Sequence, residues 1–170
     1  MRLYQKKIPV IAQEIVRRLT SEDDIETRNA PEVQLDIESV MNEYIRLERE
    51  ITDKAREHLK ATGLSFEHFG RVKRAKAEER DFAMGEDSIK YMSLQMLEIL
   101  MQSTHVDEIY TDDREIRAKL EAVLQKFMTL DEEIEEEVRK RLKNLEEGSS
   151  AWDIEYKKML TRMKTKYQLE

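Results

Sequence analysis

From Val33 to Leu59 the apolar positions fall at 33, 37, 40, 44, 47, 51, 55 and 59, in steps of three and four that place them along one side of an α-helix. At a rise of 1.5 Å per residue such a helix is about 40 Å long. A stripe of that length exposes more apolar surface than one short flanking helix covers, so the chain must provide a second long partner. The rest of the sequence permits a helical answer and little else. Four Gly and two Pro in 170 residues leave too few turns for a short-stranded sandwich or barrel, and a charged fraction of 39% suits long helices with solvated faces. The expected fold is all-α.

The partner comes from the second half, where the order of elements returns. Ile8, Ile15, Leu19 and Ile25 align with Ile89, Met96, Leu100 and Val106. After a slightly longer loop, Val33, Ile37, Val40, Tyr44, Leu47, Ile51 and Leu59 align with Ile116, Leu120, Val123, Phe127, Leu130, Ile134 and Leu142. Each copy reads as a short helix, an acidic loop with room for one short strand, a long helix and a shorter third helix. Asn29 and Asp112 stand three residues before Glu32 and Glu115 as helix starts, and Gly63 and Gly148 mark the ends of the long helices. Ser65 and Ser150 are placed to cap the third helix of each copy. The extra apolar residues Leu94, Ile99 and Met101 suggest that the first helix of the second copy is the more central one. The expected architecture is a tandem duplication, residues 1–82 and 83–170, packed as one structural domain with the long helices Val33–Leu59 and Ile116–Leu142 antiparallel. The same plan of element lengths would suit a histone-like doublet with short strands in its loops.

Met1-Arg2-Leu3-Tyr4 with Ile8-Pro9 and Ile15-Val16, and Glu147-Gly148-Ser149-Ser150-Ala151-Trp152-Asp153 with Tyr156-Lys157, resemble the two ends of a bacterial family, domain-of-unknown-function family 507. The resemblance covers most of the chain and implies a small helical protein of the bacterial cytoplasm. It implies no activity. The first copy has Gly63-Leu64-Ser65-Phe66 where the second has the Gly-Ser-Ser-x-Trp-Asp segment, which argues against one partner site shared by both copies.

Little in the sequence suggests catalysis. His58, His68 and His105 lack the spacing of zinc-helix or Glu-x-x-His ligand sets, and the four Gly are too scattered for a phosphate loop or a nucleophile elbow. The run Asp131–Glu137 is followed by Arg139, Lys140, Arg141 and Lys143, an i,i+4 pattern that reads as a solvated, salt-laced helix rather than a metal cage. No cofactor and no metal is expected, and the chain is read as a non-enzyme. An absence of Cys suits a reducing compartment. Pro9, Gln13 and Glu14 interrupt the N-terminal apolar stretch before signal-peptide length, and no membrane span is expected.

The function expected is therefore that of an all-helical interaction or scaffold protein. Its candidate partner surface lies on the last helix, at Trp152, Tyr156, Lys157, Lys158, Arg162 and Lys164. For Trp152 the stronger expectation is an anchor that holds this helix on the core. A protein partner is expected first, and a homo-oligomer is compatible with the long stripe. The second reading is a nucleic-acid-associated protein using these cations and the cluster Arg71, Lys73, Arg74 and Lys76, although a net charge of −7 works against it. The third is an enzyme without a recognisable motif.

Overall fold

A computed structural model describes residues 1–169; Glu170, the last residue assigned to the second unit, lies outside the described residues. After a 3₁₀ turn at Gln5–Lys7 the chain forms α1 (Ile8–Ser21), β1 (Ile25–Glu26) and α2 (Ala30–Thr62). A second 3₁₀ turn at Phe66–His68 leads into α3 (Phe69–Glu78). The second half continues with α4 (Asp87–Gln102), β2 (Glu108–Ile109), α5 (Asp113–Met128), α6 (Leu130–Arg141) and α7 (Ser150–Lys166). The fold is all-α, with one minimal antiparallel ribbon.

Packing at the centre is reciprocal. α1 packs on α2 and α5, and α4 packs on α5 and α2, so each short helix touches both longer ones. This gives α2 neighbours on two sides, and its buried face is wider than the periodic stripe: Met41 and Ile45 are buried beside Val33, Ile37, Tyr44 and Ile51, whereas Val40 and Leu47 are only partly covered. The short helices, rather than direct contact between the long ones, provide most of the cover. On α4 the extra apolar residues do not make the helix more central. Leu94 and Met101 are exposed, because α2 and α5 cover one face only.

The expected strands are present and pair with each other, Ile25 with Ile109 and Glu26 with Glu108. Around them the two acidic loops exchange equivalent contacts. At the spacing that relates Asn29 to Asp112, Asp24 corresponds to Asp107 and Arg28 to Thr111. The Thr111 hydroxyl donates to Asp24 at 2.7 Å, and the Arg28 backbone N–H donates to Asp107 at 2.8 Å. Asp24 is the more buried of the two aspartates. Lys119 of α5 reaches its carboxylate at 2.6 Å and that of Glu22 at 2.5 Å, tying the end of α1 to the second half.

The second long helix departs from the expected continuous span over Ile116–Leu142. It breaks at Thr129, where the backbone leaves helical geometry (φ −93°, ψ 0°), into α5 and α6. At this break the N-terminal strap, residues 1–4, meets the helix: the backbone N–H of Arg2 donates to the Met128 carbonyl at 2.9 Å, occupying an acceptor of the helical ladder. Leu3 of the strap packs into the central core, and the next residue, Tyr4, is buried against α6 and α7.

Cap positions shift by small steps. Asp112 caps α5 as expected by accepting from the Glu115 N–H at 3.0 Å, but Asn29 makes no side-chain cap: the Glu32 N–H donates to its backbone carbonyl at 3.1 Å instead. Ser149, not Ser150, caps α7, accepting from the Trp152 N–H at 3.2 Å. Gly63 closes α2 in the left-handed region at φ 69°, which glycine adopts without a Cβ clash. Asp23, Asp81 and Gln168 adopt similar geometry after α1, α3 and α7. In each case the next N–H bonds back to a carbonyl of the last turn: Asp24 to Leu19, Phe82 to Ala77 and Leu169 to Lys164.

Candidate interaction surfaces

The apolar side chains separate into three groups. The central core joins α1, α2, α4 and α5. A second group holds the α6–α7 hairpin together through Ile134, Val138, Leu142 and Met163, with Tyr4 and Leu169 closing it. The third is small, only Ala55, Leu59 and Val72 with Phe69 against them, and it holds α3 along the C-terminal half of α2. The molecule is thus a central helical layer with two hairpin arms, each with its own small core.

The α2–α3 arm is braced by charge as well. Glu50 meets Arg80 at 2.8 Å and Lys54 at 3.3 Å, and the hydrogen bonds from these two cations, Arg80 first, draw its carboxyl down to about 2. Lys73 reaches Glu48 at 3.7 Å and Lys76 reaches Glu79 at 3.2 Å. Two members of the expected cation cluster are therefore committed to intramolecular pairs. Among the described residues, Arg71 meets the His68 ring at 3.4 Å and Arg74 is exposed with no ion pair.

The α6–α7 arm brings the predicted surface residues together on one helix but points them in two directions. Trp152 and Tyr156 are half-buried and stack on each other at 4.8 Å between ring centres. They face α6, where the Arg139 guanidinium lies 6.0 Å from the Trp152 ring and the Tyr156 hydroxyl donates to Glu135 at 3.4 Å. Burial first, and then the neighbouring Glu135 carboxylate, push the Tyr156 phenol upward. Both aromatics serve as anchors in this geometry.

Lys157, Lys158 and Arg162 face solvent; Lys158 pairs with Glu155 at 3.6 Å, while Lys157 and Arg162 form no ion pair among the described residues. Lys164 is half-buried. Ile154, exposed at 55%, adds an apolar side chain one turn before Lys158. On α6 the acidic run forms the expected ladder, Glu135 with Arg139, Glu136 with Lys140 and Glu137 with Arg141.

Two features carry no clear signal in the sequence. A groove of about 690 Å³ lies between the strap, the middle of α2 and the start of α6, floored by Leu3 and Ile45 and rimmed by Arg2, Arg49, Arg56, Glu48, Asp53 and Asp131. It exists only because the strap returns to Met128, and no local pattern signals that. The other is the tip of the α2–α3 arm. Phe66 is the most exposed large apolar residue described, at 73%, stacked on Phe69 at 5.1 Å, with Leu64 exposed beside it in the chain. Two apolar residues, Leu64 and Phe66, directly after the stop signal Gly63 were the available clue. Among the described residues no group of three or more His, Asp or Glu is placed to hold a metal ion, and no helix is long and apolar enough to cross a membrane.

These features define an all-α protein whose central layer carries two helical-hairpin arms. The chain belongs to the family described as "Protein of unknown function (DUF507)", whose model matches residues 1–169, essentially the whole sequence. No curated protein matches it.

Proposed function

We propose that this protein is a non-enzymatic interaction or scaffold protein of the bacterial cytoplasm, in which two duplicated units, 1–82 and 83–170, build one body that presents its arms to another macromolecule. The observation that carries this reading is the separation of the cores. Each arm is stabilised by its own small cluster and projects apolar or cationic side chains that the central layer does not use. The reciprocal packing of α1 and α4 supports the duplicated-unit reading. The test is affinity capture with the intact chain and two variants, Phe66→Ser on one arm and Lys158→Glu with Arg162→Glu on the other. A protein partner retained by the intact chain and lost by one arm variant is the expected result. Capture that is the same for all three proteins refutes a role for the arms.

A second reading is favoured by one specific observation, the exposed Lys157 and Arg162 on α7, which form no ion pair among the described residues. Such cations suit phosphate contacts, and nucleic-acid binding through them would weaken steeply with salt. The absence of any shift of a labelled duplex or RNA at low salt would eliminate it.

A further inference from the structure

α1 and α4 occupy equivalent places in the fold, each packed on α2 and α5, so their outer faces can be compared position by position. With Ile8, Ile15 and Leu19 aligned to Ile89, Met96 and Leu100, Gln13 corresponds to Leu94 and Thr20 to Met101. At these positions α1 turns polar side chains outward, as a solvated helical face requires. α4 does not: Leu94 is 48% exposed and Met101 60%. Beside Leu94, a hollow of about 190 Å³ between α4 and α2 is lined by Val40, Leu47, Tyr91 and Gln95 and extends the apolar surface.

The charges on this face have a fixed order. Lys90 and Glu98 are exposed, stand four residues before and four after Leu94, and form no ion pair among the described residues. At 3.6 residues per turn, Lys90, Glu98 and Met101 all lie within about 40° of Leu94 around the helix. The flanking charges are already matched, Glu43 of α2 by Arg46 at 2.7 Å and Glu121 of α5 by Arg117 at 3.5 Å. Residues 90, 94 and 98 form one i±4 ridge, and two such ridges align when their helices cross at about 50°, the commonest crossing. If the second helix runs in the opposite sense, with its Leu94 at the crossing point, Lys90 meets Glu98 of the second copy and Glu98 meets its Lys90. Glu86 and Asp87 of the two copies then lie at opposite ends of the contact. In the same sense, Asp87, Lys90 and Glu98 would each meet their own equivalents, which like-charge repulsion opposes.

We propose that the outer face of α4 is a self-association surface for a second copy of this chain, two-fold symmetric about Leu94, with Lys90 and Glu98 paired across it. Interdigitation of the ridges seats each Leu94 beside the other, toward the hollow at Tyr91 and Gln95. This contact goes beyond the arm reading, which uses other faces and needs no second copy. It consists of one helix face with its α2 rim, a small interface of the weak and transient kind, so the dissociation constant should be roughly 10–100 μM.

Sedimentation equilibrium of the intact chain, over concentrations that bracket this range and at about 0.15 M salt, tests it. The parent protein should show a monomer–dimer equilibrium. Leu94→Gln, which gives α4 the residue that α1 carries at the equivalent position, should weaken the dimer at least roughly tenfold. Leu94 is on the surface, so the melting temperature of dilute protein should change by less than about 2 °C. Lys90→Glu and Glu98→Lys should each weaken the dimer at least roughly threefold, although Glu98→Lys lowers the net negative charge and general repulsion alone would then strengthen it. An equimolar mixture of these two variants, and the variant carrying both exchanges, should return to within about twofold of the parent. A dimer that ignores Leu94→Gln, or charge reversals that neither the mixture nor the double exchange rescues, would overturn the inference. A chain that stays monomeric throughout would overturn it as well and leave the face to a different protein.

Discussion

Asp24 is the most informative single residue for how the two halves are joined. It is 2% exposed, yet burial is outweighed by its donors, Lys119 at 2.6 Å and the Thr111 hydroxyl at 2.7 Å, so its carboxyl is held below the usual 3.8. Asp24→Asn keeps an oxygen that accepts from Thr111 and removes the charge that faces Lys119. A hydrogen bond to a charged group contributes about 1.5–3 kcal/mol net. Because the Lys119 side chain is 21% exposed and keeps Glu22 as a partner, the lower part of that range applies, about 1.5–2 kcal/mol. For a chain of this size the loss corresponds to a melting temperature lower by roughly 3–8 °C.

The pH dependence gives an independent check. A carboxyl whose pKa is depressed on folding stabilises the protein above its unfolded value and loses that contribution as pH falls through the folded value. The gap between the parent protein and Asp24→Asn should therefore be constant from pH 7 to about 5 and close below pH 4, measured by urea denaturation. A gap below about 0.5 kcal/mol at pH 7, or one that persists unchanged at pH 3, would show that Asp24 does not join the halves through its charge.

Other residues test the arms and the centre. Trp152→Ala should cost about half of what a fully buried ring costs, roughly 2 kcal/mol, read as a lower melting temperature, because the indole is half-buried against α6. Tyr4→Ala removes the strap residue that closes the α6–α7 cluster, so hydrogen exchange in α6 and α7 should rise roughly tenfold or more while α1 and α4 stay protected. Leu120→Ala in the central core should destabilise the whole protein by about 2–5 kcal/mol, whereas Leu59→Ala should mainly free α3, seen as faster exchange there with a smaller drop in melting temperature. Asp23→Gly relieves a non-glycine residue at φ 57° and should raise the melting temperature by roughly 1–4 °C.

The helices themselves were legible because their signals are local. The apolar spacing from Val33 to Leu59, Pro9 in the first turn of α1, Asp112 before α5 and Gly63 after α2 all act within a turn or two of the chain, and each appears where expected. The i,i+4 order of the α6 charges is equally local and equally visible. On α7 the sequence suggested both cations for a surface and, for Trp152, an anchor. Lys157, Lys158 and Arg162 face solvent and Lys164 is half-buried, while Trp152 turns inward in the anchoring position expected of it and Tyr156 turns with it, because α6 offers Glu135, Arg139 and an apolar groove that only the hairpin creates.

The hidden features depend on contacts between residues far apart in the chain. Nothing around Thr129 marks a break; the Met128 carbonyl is taken by the backbone of Arg2, and only the folded path of the strap brings that N–H within reach. Leu94 and Met101 read as core by composition and lie exposed, since a helix face is buried only if another element occupies the space beside it. Periodicity set the all-α class and the long stripe of α2, because helix formation depends on side-chain spacing along the chain. The broken second helix and the division into one central core and two arms were decided by tertiary packing, because each depends on which backbone and side-chain groups the folded chain brings within contact distance.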